Sequence, residues 1–149
     1  MFRRRGREPE VLLIHPGGPF WRNKDAGAWS IPKGLYETGE APLAAARREF
    51  FEETGCTPEG DAVALGSFKQ PSGKLIEAFA IEGDFDLKNF KSNTFSTEWP
   101  PKSGRLQDFP EADRAGWFTP KQAAEKILKG QLPILDALLV RLAPRRTDR

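Results

Sequence analysis

The run Gly34-Leu35-Tyr36-Glu37-Thr38-Gly39-Glu40-Ala41-Pro42-Leu43-Ala44-Ala45-Ala46-Arg47-Arg48-Glu49-Phe50-Phe51-Glu52-Glu53-Thr54-Gly55-Cys56 decides how this chain is read. Pro42 suits the first turn of a helix and Gly55 the residue just past its end, so the spacing predicts a helix over residues 42–54. At 100° per residue, Glu49, Glu52 and Glu53 lie at about 0°, 300° and 40°, inside one stripe roughly 100° wide. Like charges three and four residues apart weaken a helix by a few tenths of a kcal/mol per pair, and a divalent cation reverses that sign. Hard oxygen ligands with no His or Cys among them point to Mg²⁺ or Mn²⁺, and Mg²⁺ typically combines a few carboxylates with the phosphates of its substrate. The expected chemistry is therefore phosphate chemistry. Ala45 falls near the carboxylates and leaves room above them, while Leu43, Ala46 and Phe50 project toward a core.

The same residues resemble the Nudix box, G-x5-E-x7-R-E-U-x-E-E-x-G-U with U apolar, through Gly34, Glu40, Arg48, Glu49, Phe50, Glu52, Glu53, Gly55 and Cys56. Every fixed position matches. The resemblance implies an α/β fold, a Nudix-type α/β/α sandwich with a mixed sheet between helices. It also implies a hydrolase that cleaves a nucleoside diphosphate linked to another group X, by attack of metal-activated water on phosphorus. Carried over residue by residue, Glu49, Glu52 and Glu53 are the expected metal ligands, with a backbone carbonyl at Lys33 or Gly34 completing the set. Glu40 is expected to hold Arg48 and position the loop against the helix. Glu52 or Glu53 orients the water, or the base comes from a later loop, where Glu98, Asp108 and Glu111 are the candidates.

Upstream, Trp29-Ser30-Ile31-Pro32-Lys33-Gly34 resembles the W-x-x-P-K-G run of dinucleoside polyphosphate and diphosphoinositol polyphosphate hydrolases, which makes Lys33 a phosphate contact. The Tyr often found 17 or 18 residues beyond the box in the dinucleoside group would fall at Gly73 or Lys74 and is missing, while Pro71 has a spacing similar to that of ADP-ribose pyrophosphatases. Dinucleoside polyphosphate is the first expected substrate, with ADP-ribose or a modified nucleoside triphosphate next and a non-hydrolysing nucleotide sensor as the alternative of another class. Phe20, Trp21, Trp29, Phe79 and Trp99 are aromatics able to stack on a base, and Trp29 and Phe79 are taken as substrate contacts with Arg22 and Lys33.

Outward from the box, Val11–His15 reads as a buried strand before the turn Pro16-Gly17-Gly18-Pro19, and Ala28–Ile31 as a second short strand. Ala62–Gln70 and Lys74–Ile81 read as a hairpin through Pro71-Ser72-Gly73. In the polar stretch 82–111, Thr94–Trp99 is the one strand assigned; Ala112–Phe118 is the last. Thr119-Pro120-Lys121-Gln122 has capping-box spacing, Gly130 breaks the helix that follows, and Pro133 restarts it with an apolar stripe at Ile134, Leu135, Leu138, Leu139 and Leu142. Nudix domains usually carry an apolar strand ahead of the position of Val11, so Met1–Arg4 is either its remnant or the start of a chain that begins late. Gly66-Ser67-Phe68-Lys69-Gln70-Pro71-Ser72-Gly73-Lys74-Leu75 is not a P-loop, because six residues separate its glycines.

Composition sets the frame. The chain has 149 residues, 23 Lys+Arg against 21 Asp+Glu, 38% apolar residues, one Cys and one His. These values suit one globular domain over 1–149, without an internal disulfide or a Cys/His zinc cluster. No apolar run is long enough to span a membrane and no secretory h-region follows the N-terminal arginines, so the cytosol is the expected location and a membrane is not an expected partner. Arginines crowd both ends, 1–7 and 144–149, which are expected to fray, while the body is mildly acidic; nucleic acid is not an expected partner. His15 is expected to be structural. The expected partner is a small nucleotide, bound by a monomer or homodimer.

Overall fold

The central strand is built from alternation that faces two helical layers at once. In the computed structural model, which describes residues 1–34 and 39–143, β2 (Pro9–Pro16) buries Val11 through His15 without a break. Successive side chains point to opposite faces of a strand. Leu12 therefore meets Phe50 of α1 (Pro42–Thr54) and Phe85 on one side. On the other, Val11 and Leu13 join Ala123, Ile127, Leu135 and Leu138 from α2 (Pro120–Lys126) and α3 (Leu132–Leu142). This is an α/β/α layering around a three-stranded sheet, with two further two-stranded sheets beside it.

β2 pairs antiparallel with β7 (Ala112–Phe118) on one edge and with β1 (Phe2–Arg4) on the other. β3 (Ala62–Lys69) and β4 (Leu75–Ile81) form the expected hairpin, Gly73 taking φ 90° in the turn. The pairs between strands are all antiparallel among the described residues; parallel contacts occur as isolated bridges, from Phe2 to Glu82 just past β4 and from Trp29 to Ile127. Ala28–Ile31 is shorter than expected: only Trp29 and Ser30 make bridges, to Ile127 and Ile14.

Two further differences follow from residues that pattern reading undervalued. Of the two alternatives for Met1–Arg4, a strand remnant or the start of a chain that begins late, Phe2–Arg4 forms a strand, and Arg3 and Arg5 of the end 1–7, expected to fray, have partners. Arg3 donates to Glu10 and Asp84 and lies over the Trp117 ring at 4.3 Å, and Arg5 reaches Asp84. The other basic end, 144–149, lies outside the described residues. Within 82–111, β5 (Thr94–Glu98) matches the assigned strand, but it pairs with β6 (Leu106–Pro110), a strand with almost no buried side chains and hence no apolar alternation to reveal it. The capping box at Thr119 and Gln122 forms as expected, and Gly55 closes α1 at φ 77°, a conformation that costs glycine little. Among the described residues no helix is long and apolar enough to cross a membrane.

His15 is fully buried at the end of β2, with Nδ1 2.7 Å from Asp113 Oδ1 on β7 and Nε2 2.6 Å from the Lys24 carbonyl. One ring thus ties the sheet to the loop after Pro19, which accords with a structural role. Replacing it by Leu keeps the volume and strips both bonds, so His15→Leu is expected to lose about 1–3 kcal/mol of stability in denaturant unfolding. An unchanged unfolding midpoint would contradict this account.

Candidate functional site

α1 gathers the acidic group. Pro42 starts it, Gly55 stops it, and Arg47 fastens its outer face by donating to the carbonyls of Pro58 and Gly60. Its inner face is set by the buried Ala45 and Phe50, so the carboxylates border the core, and Ala45 lines the same cavity as Glu49. Arg48 is the hub. It donates from Nε and Nη2 to the two oxygens of Glu40 at 2.8 and 2.9 Å, and from Nη1 to Glu49 Oε1 at 2.9 Å and Glu52 Oε2 at 3.1 Å. These paired bonds, those to Glu40 foremost and those to Glu49 next, hold the guanidinium more firmly charged than usual.

Glu53 faces a different partner. Its Oε2 accepts from the backbone N–H of Lys33 at 2.8 Å, which pins the segment before Gly34 to the helix. Burial pushes its pKa up to about 8, against that hydrogen bond and with the charges of Glu49 and Glu111 adding to the rise. Glu49 is also shifted up, by burial first, although Arg48 opposes the shift. Gly34 lies so close to Glu49 that a Cβ there would sit 1.9 Å from the carboxylate carbon. Only a residue without a side chain fits that cradle.

Of the three later acidic candidates, one joins this group. Glu111 stands between β6 and β7; its N–H donates to the Asn93 carbonyl, and the Asn93 N–H donates to the carbonyl of Glu52, both at 2.8 Å. Two backbone bonds thus link α1 to Glu111, whose pKa is raised by burial and by the charge of Glu52. Asp108 instead accepts from Ser96 Oγ, and Glu98 is exposed on β5. The sequence marked Glu111 as one of three; the signal that separates it is its place at the junction of the last two strands.

The expected substrate contacts divide. Lys33 is exposed, and Phe79, half-buried on β4, lines a cavity of about 750 Å³ between α1 and β4 that also reaches Lys33, Gly34 and Glu49. Arg22 is exposed on the loop after Pro19. Trp29 is corrected: at 5% exposure it is a core residue, edge-on to His15 and Phe118, with Nε1 donating to Asp25. No base can reach its face.

Among the described residues no three His, Cys, Asp or Glu side chains surround one point as metal ligands would. Glu49 and Glu52 converge instead on Arg48 Nη1, a cationic nitrogen of the chain itself. The donor set still fits a hard divalent cation in kind: it is all oxygen, two carboxylates already meet at one positive atom, and the third resists ionising without a counter-charge.

The comparisons with known proteins agree with this geometry. The family profile described as NUDIX domain matches residues 1–138. A nucleoside triphosphate pyrophosphatase/Nudix hydrolase fusion protein of Bifidobacterium longum is 35% identical over 131 residues, 72% of this chain and 26% of that protein. An RNA pyrophosphohydrolase of Roseobacter denitrificans is 53% identical over 53 residues, 33% of each chain. This chain therefore spans about a quarter to a third of the length of these two relatives. The NUDIX domain of Shewanella oneidensis NrtR, solved with ADP ribose, superposes with a TM-score of 0.63 at 15% identity over 95% of this chain and 83% of that one, a likeness of fold.

Glu53 gives a pH test. Its carboxyl holds a proton in the folded state up to about pH 8, whereas an unfolded chain releases it near the ordinary 4.5. A raised acid therefore contributes stability in full below about 4.5, and loses it as pH climbs through 8. In chelator, the melting temperature is expected to fall between pH 5 and 8.5, and less steeply in Glu53→Gln. Parallel curves for the two proteins would refute the shift.

Proposed function

The chain belongs to the Nudix family, and from that premise we propose that it is a divalent-metal-dependent pyrophosphohydrolase. Its substrate is a nucleoside diphosphate linked to X, with dinucleoside polyphosphate the first choice and ADP-ribose or a modified nucleoside triphosphate next. The observation that carries this reading is the convergence of Glu49 and Glu52 on one cationic atom beside the half-buried Glu53. The names of the Bifidobacterium and Roseobacter relatives, a pyrophosphatase fusion and a pyrophosphohydrolase, support it.

Glu49, Glu52 and Glu53, with the Gly34 carbonyl, are the residues that hold Mg²⁺ or Mn²⁺. When bound, such an ion lowers the pKa of water and screens phosphate charge. The chain's own residues do the rest. Glu40 fixes Arg48 through two bonds, so the guanidinium stays at the base of the site when Glu49 and Glu52 turn away from it. Glu53, tied to the Lys33 N–H, keeps the loop against the helix and presents its second oxygen to the attacking water. Glu52 and Glu111, coupled to each other, are the other two acceptors within the group for that water's proton. Lys33 and Arg22 are the exposed cations that meet the outer phosphates.

A second reading has an observation behind it. Arg48 occupies one oxygen each of Glu49 and Glu52, as it would in a nucleotide sensor that never hydrolyses. A single experiment separates the two: turnover of a panel of nucleoside diphosphate derivatives with Mg²⁺ in ¹⁸O water, which also marks the phosphorus attacked. Hydrolysis by the wild type and a loss of about a hundredfold or more in Glu53→Gln are expected, the scale of a missing acid-base group. Tight nucleotide binding with no product over hours would establish the sensor.

A further inference from the structure

Glu49, Glu52 and Glu53 share one helix, whereas Glu111 joins them from the junction of β6 and β7, so its distance from Glu52 is set by tertiary bonds. Its charge adds to the burial that raises Glu49 and Glu53, and its own carboxyl is raised by burial and then by Glu52. The bonds that bring it there begin at the end of α1. The last four carbonyls of a helix lack partners within it. Two of them, on Glu52 and Thr54, accept from the N–H groups of Asn93 and Lys91 at 2.8 and 2.9 Å. Gly55 lets the two segments meet, since a Cβ there would fall 2.8 Å from the Lys91 carbonyl oxygen.

Between Lys91 and Asn93 stands Ser92, whose side chain serves the other neighbour. Its Oγ donates to the Asn93 carbonyl at 2.7 Å and accepts from the N–H of the buried Ala112 at 2.9 Å. The same Asn93 carbonyl accepts from the Glu111 N–H at 2.8 Å. These three hydrogen bonds close a ring, and the Cα of Glu111 is one of its atoms. From outside the ring, Gly17 donates to the Glu111 carbonyl at 2.9 Å. The ladder of β2 and β7 slips at the same place: His15 faces Arg114 but Pro16 faces Ala112, and Asp113, the residue left over, is bound to His15. A bulge of this kind re-aims the side chains beside it.

The ring fixes the Cα from which the Glu111 carboxylate reaches, and Asn93 ties that ring to α1. We propose that Ser92 is a positioning residue of the site, its hydroxyl holding Glu111 at the distance from Glu52 that the attacking water requires. This rests on the hydrolase reading above, in which Glu111 is one of the acceptors for that water's proton. Without the hydroxyl, the Ala112 N–H loses its acceptor and the ring opens, while the bond from Glu111 to Asn93 remains. The carboxylate then shifts without leaving the site, so turnover falls and substrate binding does not.

The test is steady-state turnover with Mg²⁺ of diadenosine tetraphosphate, ADP-ribose and ATP, taking whichever the wild type hydrolyses fastest. Ser92→Ala is expected to lower kcat about tenfold or more at unchanged KM, the effect of a misplaced acid-base group. Ser92→Thr keeps the hydroxyl and is expected to keep the wild-type kcat. Ser96→Ala, the same change at a hydroxyl bonded to Asp108 on β5, is the control and leaves kcat as it is. In the Glu111→Gln background Ser92→Ala is expected to cost nothing further, because changes that act through one group do not add. An unchanged kcat or a defect confined to KM in Ser92→Ala overturns the assignment. So does a Thr variant as slow as the Ala one, or a loss that persists in full in the Glu111→Gln background. Ser92→Cys, whose thiol bonds only weakly, takes the place of Ser92→Ala if that variant does not fold. Should the wild type release no product from any of the compounds, the hydrolase reading fails and the role of Ser92 with it; an active wild type beside an equally active Ser92→Ala removes Ser92 alone.

Discussion

Three glutamates on one face of α1, in a place only partly open to water, repel one another, and most of the site follows from how that repulsion is managed. Arg48 answers it first. It is anchored at Glu40 and reaches across to Glu49 and Glu52, so that two like charges share one positive atom. Glu53 lies beyond that reach and takes a backbone N–H instead, which leaves most of its burial cost uncompensated. A site with this imbalance favours a further cation.

The fold turns that local problem into a fixed geometry. α1 is held on one face of β2 through Leu12 and Phe50, and the two C-terminal helices close the other face. The carboxylate stripe therefore faces the loops at the sheet's end, where Lys33 and Gly34 arrive from one part of the chain and Glu111 from another. Close approach fixes the arrival: Gly34 against Glu49, Gly17 against Pro110, and the backbone relay from Glu52 through Asn93 to Glu111. The chemistry-bearing side chains thus sit on a scaffold whose contacts are mostly main chain.

The helix and its acidic face were legible in the sequence, because period 3.6, Pro42 and Gly55 all point the same way. So were the β3–β4 hairpin and the capping box at Thr119, each written in local turn or cap chemistry. What escaped was decided by distant contacts. β6 is exposed on both faces, so its pairing with β5 leaves no apolar alternation. Trp29, in a short motif that suggested a substrate contact, is claimed by His15, Phe118 and Asp25, none near it in the pattern that singled it out. The N-terminal arginines looked like a loose basic end until Glu10 and Asp84, the latter about eighty residues away, proved to be their partners. Glu111 could not be separated from Glu98 and Asp108 by position alone, since only the folded chain brings it to Glu52.

The central claim is that the glutamate face binds a divalent ion that its own arginine only partly replaces. Titration with Mn²⁺, followed by the loss of the free-ion electron paramagnetic resonance signal, measures this directly. The account predicts that wild-type protein takes Mn²⁺ out of solution, and that Glu49→Gln/Glu53→Gln restores the free signal. A signal of equal height with and without the wild-type protein, in the presence of nucleotide as well as its absence, would contradict it.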